Sequence, residues 1–463
     1  MRVLFLNLTE HLNPKVKHPR HIHPPLDIGY CASLLDAHGH ETFFMDFAIK
    51  KFSLDKIISF IKKRKIKIVV FKLSPCILSW GLNFLSNIKK NSNVFLVGIG
   101  PTPTVLTSEL LFKGSPVDLC VIGEPEITLL ELINRMESGK KIENVLGTAF
   151  FKKRLIVNKR RPLINDLDYL PFPKHSFFLD KGYTFFYPTS MLGKLKTGFI
   201  LSTRGCPYNC IFCSPVERVS FGKFYRVREP GKVVDEMESL KRRGVNFIYF
   251  EDDNFTFDND HVKKICEEII KRRLKVKWGV QSRVDKVDYE ILKLMKKAGC
   301  STLCFGIESG SPRILKIINK AINLKQIKNA VQNANKLGIK TIGFFIIGSP
   351  SEKRREILES LRLAKELPLD MVQIHFFTPY PGSNAFRNFV SNSNIEDLNT
   401  QDFPTNLSCL SKEELKRYQK YFYLNFYFTT RRIFKTFSRF LNLFNLKNEI
   451  KLLKQTISYL VSG

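Results

Sequence analysis

Strand-like and helix-like segments alternate along this chain in two separate series, and that alternation restricts its possible folds more than any other feature. The first series has short apolar runs at Val3–Leu8, Thr42–Phe47, Ile66–Leu73, Val94–Val97 and Val117–Ile122. Between them lie helical patterns such as Asp27–Ala37, Leu54–Lys63 and Thr128–Met136. Strands covered on both faces read as unbroken apolar runs, and their alternation with helices is the mark of a parallel α/β sheet. In an open sheet of this kind a ligand sits beyond the carboxyl ends of the strands. Three strands end there in small or polar residues, Ser74-Pro75, Gly98-Ile99-Gly100-Pro101 and Gly123-Glu124. Ser74, Gly98, Gly100, Gly123 and Glu124 are therefore candidate cofactor-binding residues of one crevice.

The pattern breaks where Pro162, Pro171, Pro173 and Pro188 occur among scattered aromatics. Such a stretch reads as a linker. A second series follows, with strands at Gly198–Ser202, Val245–Phe250, Lys277–Val280, Thr302–Ile307, Thr341–Ile347 and Met371–Phe377. Its helices are Gly231–Arg243, His261–Arg272, Val287–Ala298, Leu324–Lys336 and Glu352–Leu367. A closed eight-unit barrel takes ~250 residues, so this span predicts a partial six-unit barrel, open on one side. The predicted fold class is α/β, in four parts: a doubly wound, Rossmann-like domain over 1–150, a linker over 151–197, a partial (βα)6 barrel over 198–390 and a helical tail over 391–463. In the tail, Lys412–Phe428 and Arg431–Leu446 read as helices. The second carries a stripe of Ile433, Phe437, Phe440, Leu441 and Phe444 beside Arg431, Arg432, Lys435 and Arg439. A basic amphipathic helix of that kind either lies on anionic lipid or packs on the barrel, and packing is the preferred reading.

The chain has 463 residues and a formal net charge of +31, from 74 Lys and Arg against 43 Asp and Glu. The basic residues form no single block, so a composition bias accounts for the charge better than nucleic acid or another anionic partner does. Ten cysteines without a compact even framework do not suggest disulfides. No stretch approaches the ~18 apolar residues of a membrane span, and no signal-peptide pattern opens the chain. The expected compartment is the cytoplasm, with a peripheral place at the inner membrane face if the tail touches lipid.

Chemistry enters at Cys206-Pro207-Tyr208-Asn209-Cys210-Ile211-Phe212-Cys213, directly after a predicted strand. Thiolates are soft ligands suited to iron–sulfur clusters or zinc. Three close cysteines grip three corners of a cubane and leave the fourth iron open. A structural zinc site instead wants four protein ligands, and no second Cys-x2-Cys pair is present. Cys206, Cys210 and Cys213 are the predicted metal ligands.

With its aromatic before the last cysteine and its Ser202-Thr203-Arg204-Gly205 lead-in, this segment resembles the radical SAM superfamily, over roughly residues 198 to 382. The resemblance implies a [4Fe–4S] cluster whose open iron chelates S-adenosylmethionine. It also implies reductive cleavage to a 5′-deoxyadenosyl radical that attacks an unreactive carbon. The backbone around Phe212 would then contact the adenine. Within Glu251-Asp252-Asp253-Asn254-Phe255, Asp252 and Asp253 become candidates for the methionyl end, and Arg283 ends the next strand. Glu308 and Ser309 of Gly306-Ile307-Glu308-Ser309-Gly310 would lie near the ribose. Ile347, in Gly343-Phe344-Phe345-Ile346-Ile347-Gly348, would pack on adenine, and Pro379-Tyr380-Pro381-Gly382-Ser383 closes the sixth strand. Taken alone, each acidic residue after a strand is as readily a helix cap, and Gly306 or Gly348 a tight turn.

The first series resembles the cobalamin-binding domain that precedes the barrel in one branch of that superfamily. The matching segments are Pro24-Pro25-Leu26-Asp27-Ile28-Gly29-Tyr30, His38-Gly39-His40-Glu41, Val97 to Thr102 and Val121 to Glu126. No Asp-x-His-x-x-Gly motif occurs, so the resemblance implies a base-off corrinoid, with a scaffold lacking it as the alternative. His11, His18, His21 and His23 crowd one loop and read as solvated rather than as metal ligands. Cys31, Cys76 and Cys120 invite comparison with the second cluster of methylthiotransferases, but they read as buried apolar thiols. The expected function is cobalamin-dependent methyl transfer to a small-molecule or lipid-like substrate, fed by an electron donor such as flavodoxin or ferredoxin. The alternatives are radical cyclisation or rearrangement, tRNA methylthiolation and a non-catalytic corrinoid carrier. No catalytic residue beyond the cofactor sites is assignable.

Overall fold

The computed structural model describes residues 1–9, 22–185, 195–213, 221–390 and 405–428. His11, His18, His21, Pro188 and the expected helix over Arg431–Leu446 lie outside the described residues.

The first series folds into a seven-stranded sheet in the order β2-β1-β3-β4-β5-β6-β7. Its parallel members are β1 (Arg2–Leu8), β2 (Glu41–Asp46), β3 (Ile68–Leu73), β4 (Phe95–Ile99) and β5 (Leu119–Val121). The hairpin β6 (Thr148–Phe151) and β7 (Leu155–Val157) adds on antiparallel, carrying the sheet past the expected domain end into the segment read as linker. Alternation along β1 assigns its side chains to two cores. Val3 and Phe5 pack with the helices Leu26–Ala37 and Glu126–Glu137. Leu4, Leu6 and Leu8 pack with Leu54–Arg64 and Leu78–Asn91 on the other face. In this strand order the chain reverses direction between β1 and β3, so the crevice opens at their carboxyl ends. There the Ser74 N–H donates to the Leu8 carbonyl at 3.1 Å.

The second series forms six parallel strands in the order β15-β14-β13-β12-β11-β8, an unclosed barrel. They are β8 (Thr197–Ile200), β11 (Phe247–Phe250), β12 (Lys277–Ser282), β13 (Cys300–Glu308), β14 (Lys340–Ile347) and β15 (Met371–Phe376). A short ribbon of β9 (Thr203–Arg204) and β10 (Arg226–Val227) stands after β8. Outside lie, among others, the helices Pro230–Arg242, Asn259–Lys271, Tyr289–Lys297, Leu324–Lys336 and Arg354–Glu366. Asp258, Asp288 and Asn323 each accept first-turn backbone N–H groups of the helix they open. The helix Lys412–Tyr427 covers β14 and β15. Its Phe422 ring stands 5.3 Å from Phe345, and Tyr423 Oη accepts from the Ile374 N–H at 2.9 Å.

The inner face of the barrel is not self-sufficient. Phe199, Phe247, Tyr249, Cys304 and Ile342 share a core with the first domain and with residues of the connecting stretch, among them Leu170, Phe178 and Phe185. Phe185 enters from that stretch, its ring 4.2 Å from Tyr249 and 5.1 Å from Phe247. Phe178 is buried against Phe44 and Tyr183, at ring distances of 5.9 and 5.6 Å. Replacing Phe178 with Ala leaves a cavity between the connecting stretch and the first domain. The expected loss is about 3–5 kcal/mol in chemical denaturation, and a loss below ~1 kcal/mol contradicts this packing.

Candidate active site

The cysteine loop begins where Gly205 turns the chain at φ +89° directly after β9. Its root is held by two carboxylates from the end of β11. Asp252 accepts the Ser202 and Thr203 N–H groups at 2.6 and 3.1 Å and also the Ser202 hydroxyl. Asp253 accepts the Gly205 N–H at 3.0 Å. The far side of the loop is held by the turns above β13 and β15. Ile211 donates to the Ile318 carbonyl at 3.1 Å, and Ala385 donates to the Ile211 carbonyl at 2.9 Å. The Asn319 amide donates to the Asn209 carbonyl at 2.9 Å.

Cys210 is buried, while Cys206 and Cys213 are partly open. Among the described residues no three His, Cys, Asp or Glu side chains gather into a set able to hold one metal ion. Arg283 supplies positive charge. One guanidinium nitrogen lies 3.9 Å from Cys210 Sγ and another donates to the Lys320 carbonyl at 2.8 Å. The same guanidinium stacks 3.6 Å from the centroid of Tyr208. Burial opposes its charge, but the Asp285 carboxylate and the Cys210 sulfur raise its pKa. The donor set and its counter-charge fit a [4Fe–4S] cluster.

Beside the loop, Lys320 Nζ pairs with Glu308 Oε1 at 2.6 Å and lies 5.7 Å from the Phe212 ring. Glu308 has a left-handed backbone, φ +65°, at an irregularity where β13 shifts register against β14. Such a conformation costs a non-glycine residue ~1–3 kcal/mol and re-aims its side chain. Ser309 faces the outer helices instead, accepting the Ser311 N–H and lying 3.2 Å from Ser360 Oγ. The next residue must be glycine, because a Cβ on Gly310 would meet the Glu359 carbonyl at 2.6 Å. Ile347 is buried in a core with Phe345 and Leu415 that also takes in Ile346. Strand parity sets Ile346 on the same face as Phe344, which packs against the inner core.

Sequence reasoning missed two histidines. His23 comes from the first domain, lies between the rings of Phe199 and Tyr249 at 5.4 and 5.6 Å, and pairs with Glu251 at 2.6 Å. Burial works against its charge, but Glu251 outweighs it and raises the pKa. His375 is on the inner face of β15, reachable by water, with its ring 6.1 Å from Phe344. The surrounding protein still lowers its pKa by partial desolvation, with Glu308 pulling the other way. The parity of Tyr249 and Glu251 along one strand was the signal available for this wall.

In the first domain, Gly100 and Gly123 both stand at φ +90° beyond β4 and β5. A Cβ on Gly123 would meet nothing within 4 Å, and one on Gly100 nothing nearer than 3.6 Å. The space beside both glycines is open. Gly98 is different, since a Cβ there would press on Phe71 and Pro103 at 3.0 Å. Glu124 turns away from this crevice, toward the barrel. Its carboxylate meets Arg204 at 3.1 Å and Arg226 at 3.0 Å, and accepts the Ile164 N–H at 2.7 Å. Cys31 and Cys120 are buried, and burial raises both thiols far above their usual range, as befits core residues rather than thiolate ligands.

Fold and site together define an iron–sulfur α/β enzyme with a parallel-sheet domain ahead of its barrel. A model of the radical SAM superfamily matches residues 200–364. The chain is 32% identical over 423 residues to an uncharacterized methyltransferase of Pyrococcus horikoshii, covering 89% of each. It is 29% identical over 392 residues to an anaerobic magnesium-protoporphyrin IX monomethyl ester cyclase of Rubrivivax gelatinosus, covering 82% of this chain and 69% of that one. Among solved structures, the radical S-adenosylmethionine methyltransferase TsrM from Kitasatospora setae, with cobalamin and a [4Fe–4S] cluster, superposes with a TM-score of 0.67. That match is 19% identical and covers 83% of this chain and 73% of that one. The cobalamin-dependent enzyme OxsB, with aqua-cobalamin and S-adenosylmethionine bound, gives 0.74 at 16% identity, over 97% of this chain and 72% of that one. The chain belongs to the radical SAM superfamily and is a radical SAM enzyme.

Burial pushes Asp252 up to about 6, against the pull of its hydrogen bonds from Ser202 and Thr203. Its folded pKa therefore exceeds the unfolded value of ~3.9. The stability it adds is present below about pH 4 and is lost as pH rises through about 6, roughly 2–3 kcal/mol in all. In cluster-free protein, Asp252→Asn is expected to flatten the decline in unfolding free energy between pH 4 and 7. Unchanged slopes in denaturant titrations would show that Asp252 is not the group titrating.

Proposed function

We propose that this enzyme transfers a methyl group to an unreactive carbon of a small-molecule substrate, using cobalamin as well as the cluster. The observation that carries the reading is the contact between the carboxyl strand ends of the first domain and the barrel mouth. Glu124, just after Gly123 at the end of β5, pairs with Arg204 at the root of the cysteine loop, and His23 of the first domain pairs with Glu251 at the end of β11, so the strand ends of the two domains meet. When bound, the reduced cluster and S-adenosylmethionine supply a 5′-deoxyadenosyl radical, and the corrinoid supplies a methyl group.

Each residue has a part in this reading. Cys206, Cys210 and Cys213 hold the cluster, and Arg283 balances its charge. Phe212, Lys320 and Glu308 border the place for the nucleoside end of S-adenosylmethionine. Asp252 and Asp253 act one step back, fixing the loop rather than touching the cofactor. Phe199, Tyr249, Phe344 and Ile346 give an apolar wall, which excludes water and suits a largely apolar substrate. His23 with Glu251, and His375, offer the polar groups that orient it. Flavodoxin or ferredoxin is the class of electron donor such a cluster requires. Contact with a membrane surface through the basic tail belongs to the same proposal. No helix among the described residues is long and apolar enough to cross a membrane.

Radical cyclisation is the second reading, favoured by the identity to the magnesium-protoporphyrin ester cyclase over most of both chains. Anaerobically reconstituted protein, given S-adenosylmethionine, reductant and aquocobalamin, separates these readings. Methyl transfer predicts a retained corrinoid spectrum, S-adenosylhomocysteine from methylation of the corrinoid and 5′-deoxyadenosine from radical generation. 5′-Deoxyadenosine without S-adenosylhomocysteine points to cyclisation, and neither product overturns the proposal.

A further inference from the structure

Two pairs of oppositely charged side chains are buried at the seam between the domains. From the first domain come Glu124, in the turn after β5, and Glu126, the first residue of the helix Glu126–Glu137. From the second come Arg204, the last residue of β9, and Arg226 of β10. Arg204 donates to Glu124 at 3.1 Å and to Glu126 at 2.6 Å, while Arg226 donates to both oxygens of Glu124 at 3.0 Å. All four side chains are at most 4% exposed. Further bonds lock the arginines. Arg226 donates to the Ile164 and Phe221 carbonyls at 2.7 and 2.8 Å, and Arg204 lies between the rings of Tyr30 and Phe221 at 5.1 and 4.7 Å.

The position of these groups in the chain matters as much as their burial. Glu124 follows Gly123, the glycine beside open space in the first crevice. Arg204 precedes Gly205 and then Cys206, the first cluster ligand. One carboxylate–guanidinium contact thus joins the lip of one cofactor crevice to the root of the other's loop. Buried ion pairs add little net stability compared with apolar packing, but separating them strands charge in a low dielectric. Their best-attested use is to fix register. A planar guanidinium held by two carboxylates also constrains orientation in a way a lysine does not.

We infer that Glu124, Glu126 and Arg204 are positioning residues that fix the separation between the corrinoid and the cluster. The inference rests on reading the first crevice as the corrinoid site. It assigns a second role to the arginine beside the cysteine motif, where sequence alone showed only a lead-in. It also moves Glu124 from the crevice wall to the seam.

The test measures distance, not turnover. With aquocobalamin reduced to the paramagnetic cob(II)alamin and the cluster reduced to its paramagnetic state, pulsed EPR reads their dipolar coupling in the full-length protein. The wild type is expected to give one narrow distance distribution. Glu126→Gln should broaden or lengthen it. Arg204→Lys, which keeps the charge and the fold but loses the fork, should do the same with both cofactors retained. A wild-type distribution in Arg204→Lys, with full iron and corrinoid content, would overturn the inference while leaving the proposed function standing. A broad distribution in the wild type would also overturn it. A wild type that shows no corrinoid signal overturns both, and the visible spectrum distinguishes that case.

Discussion

Six parallel strands do not close a barrel, and the rest of the molecule answers to that constraint. The inner faces of β8, β11, β13 and β14 carry Phe199, Phe247, Tyr249, Cys304 and Ile342, which need cover. A closed barrel fills its own interior with side chains. This one is plugged near Tyr249 by Phe185, and the helices Leu26–Ala37 and Glu126–Glu137 of the first domain share the same apolar core. The open geometry therefore obliges the two domains to pack together. Packing in turn brings the carboxyl ends of one sheet to the mouth of the other.

Charge at that mouth is arranged in pairs rather than left free. Lys320 meets Glu308, Arg283 meets Asp285, His23 meets Glu251, and Arg204 meets both Glu124 and Glu126. An unpaired buried charge would be costly, and paired ones hold their loops with directional bonds. Asp252 shows the limit of this strategy. It has only neutral N–H and O–H donors, so burial raises its pKa. The strained backbone of Glu308 is a comparable local cost, placed where the strand must bulge to aim a carboxylate at Lys320.

Much of the fold was legible because buried parallel strands leave apolar runs and helix starts leave capping residues. All the named strands form, within a few residues, and the cysteine triplet stands after a strand as expected. What escaped was set by register and by contacts distant in sequence. Ile347 and Ile346 are neighbours of the same chemistry, and only pairing with β13 and β15 decides which one faces inward. Glu124 looked like a crevice residue until folding brought Arg204 and Arg226 to it from ~80 to 100 residues away. His23 lay among histidines read as solvated, and nothing local announced Glu251 as its partner. The antiparallel hairpin of β6 and β7 was missed for another reason: its strands are short and its last residue, Val157, is exposed.

The central claim is that three thiolates leave one iron of a cubane open to S-adenosylmethionine. Hyperfine spectroscopy of the reduced protein with S-adenosylmethionine labelled at its amino nitrogen and carboxylate oxygens tests it most directly. The account predicts coupling of both labels to the cluster, abolished in Cys210→Ala. A fully loaded cluster that shows no coupling to either label at saturating S-adenosylmethionine would contradict it.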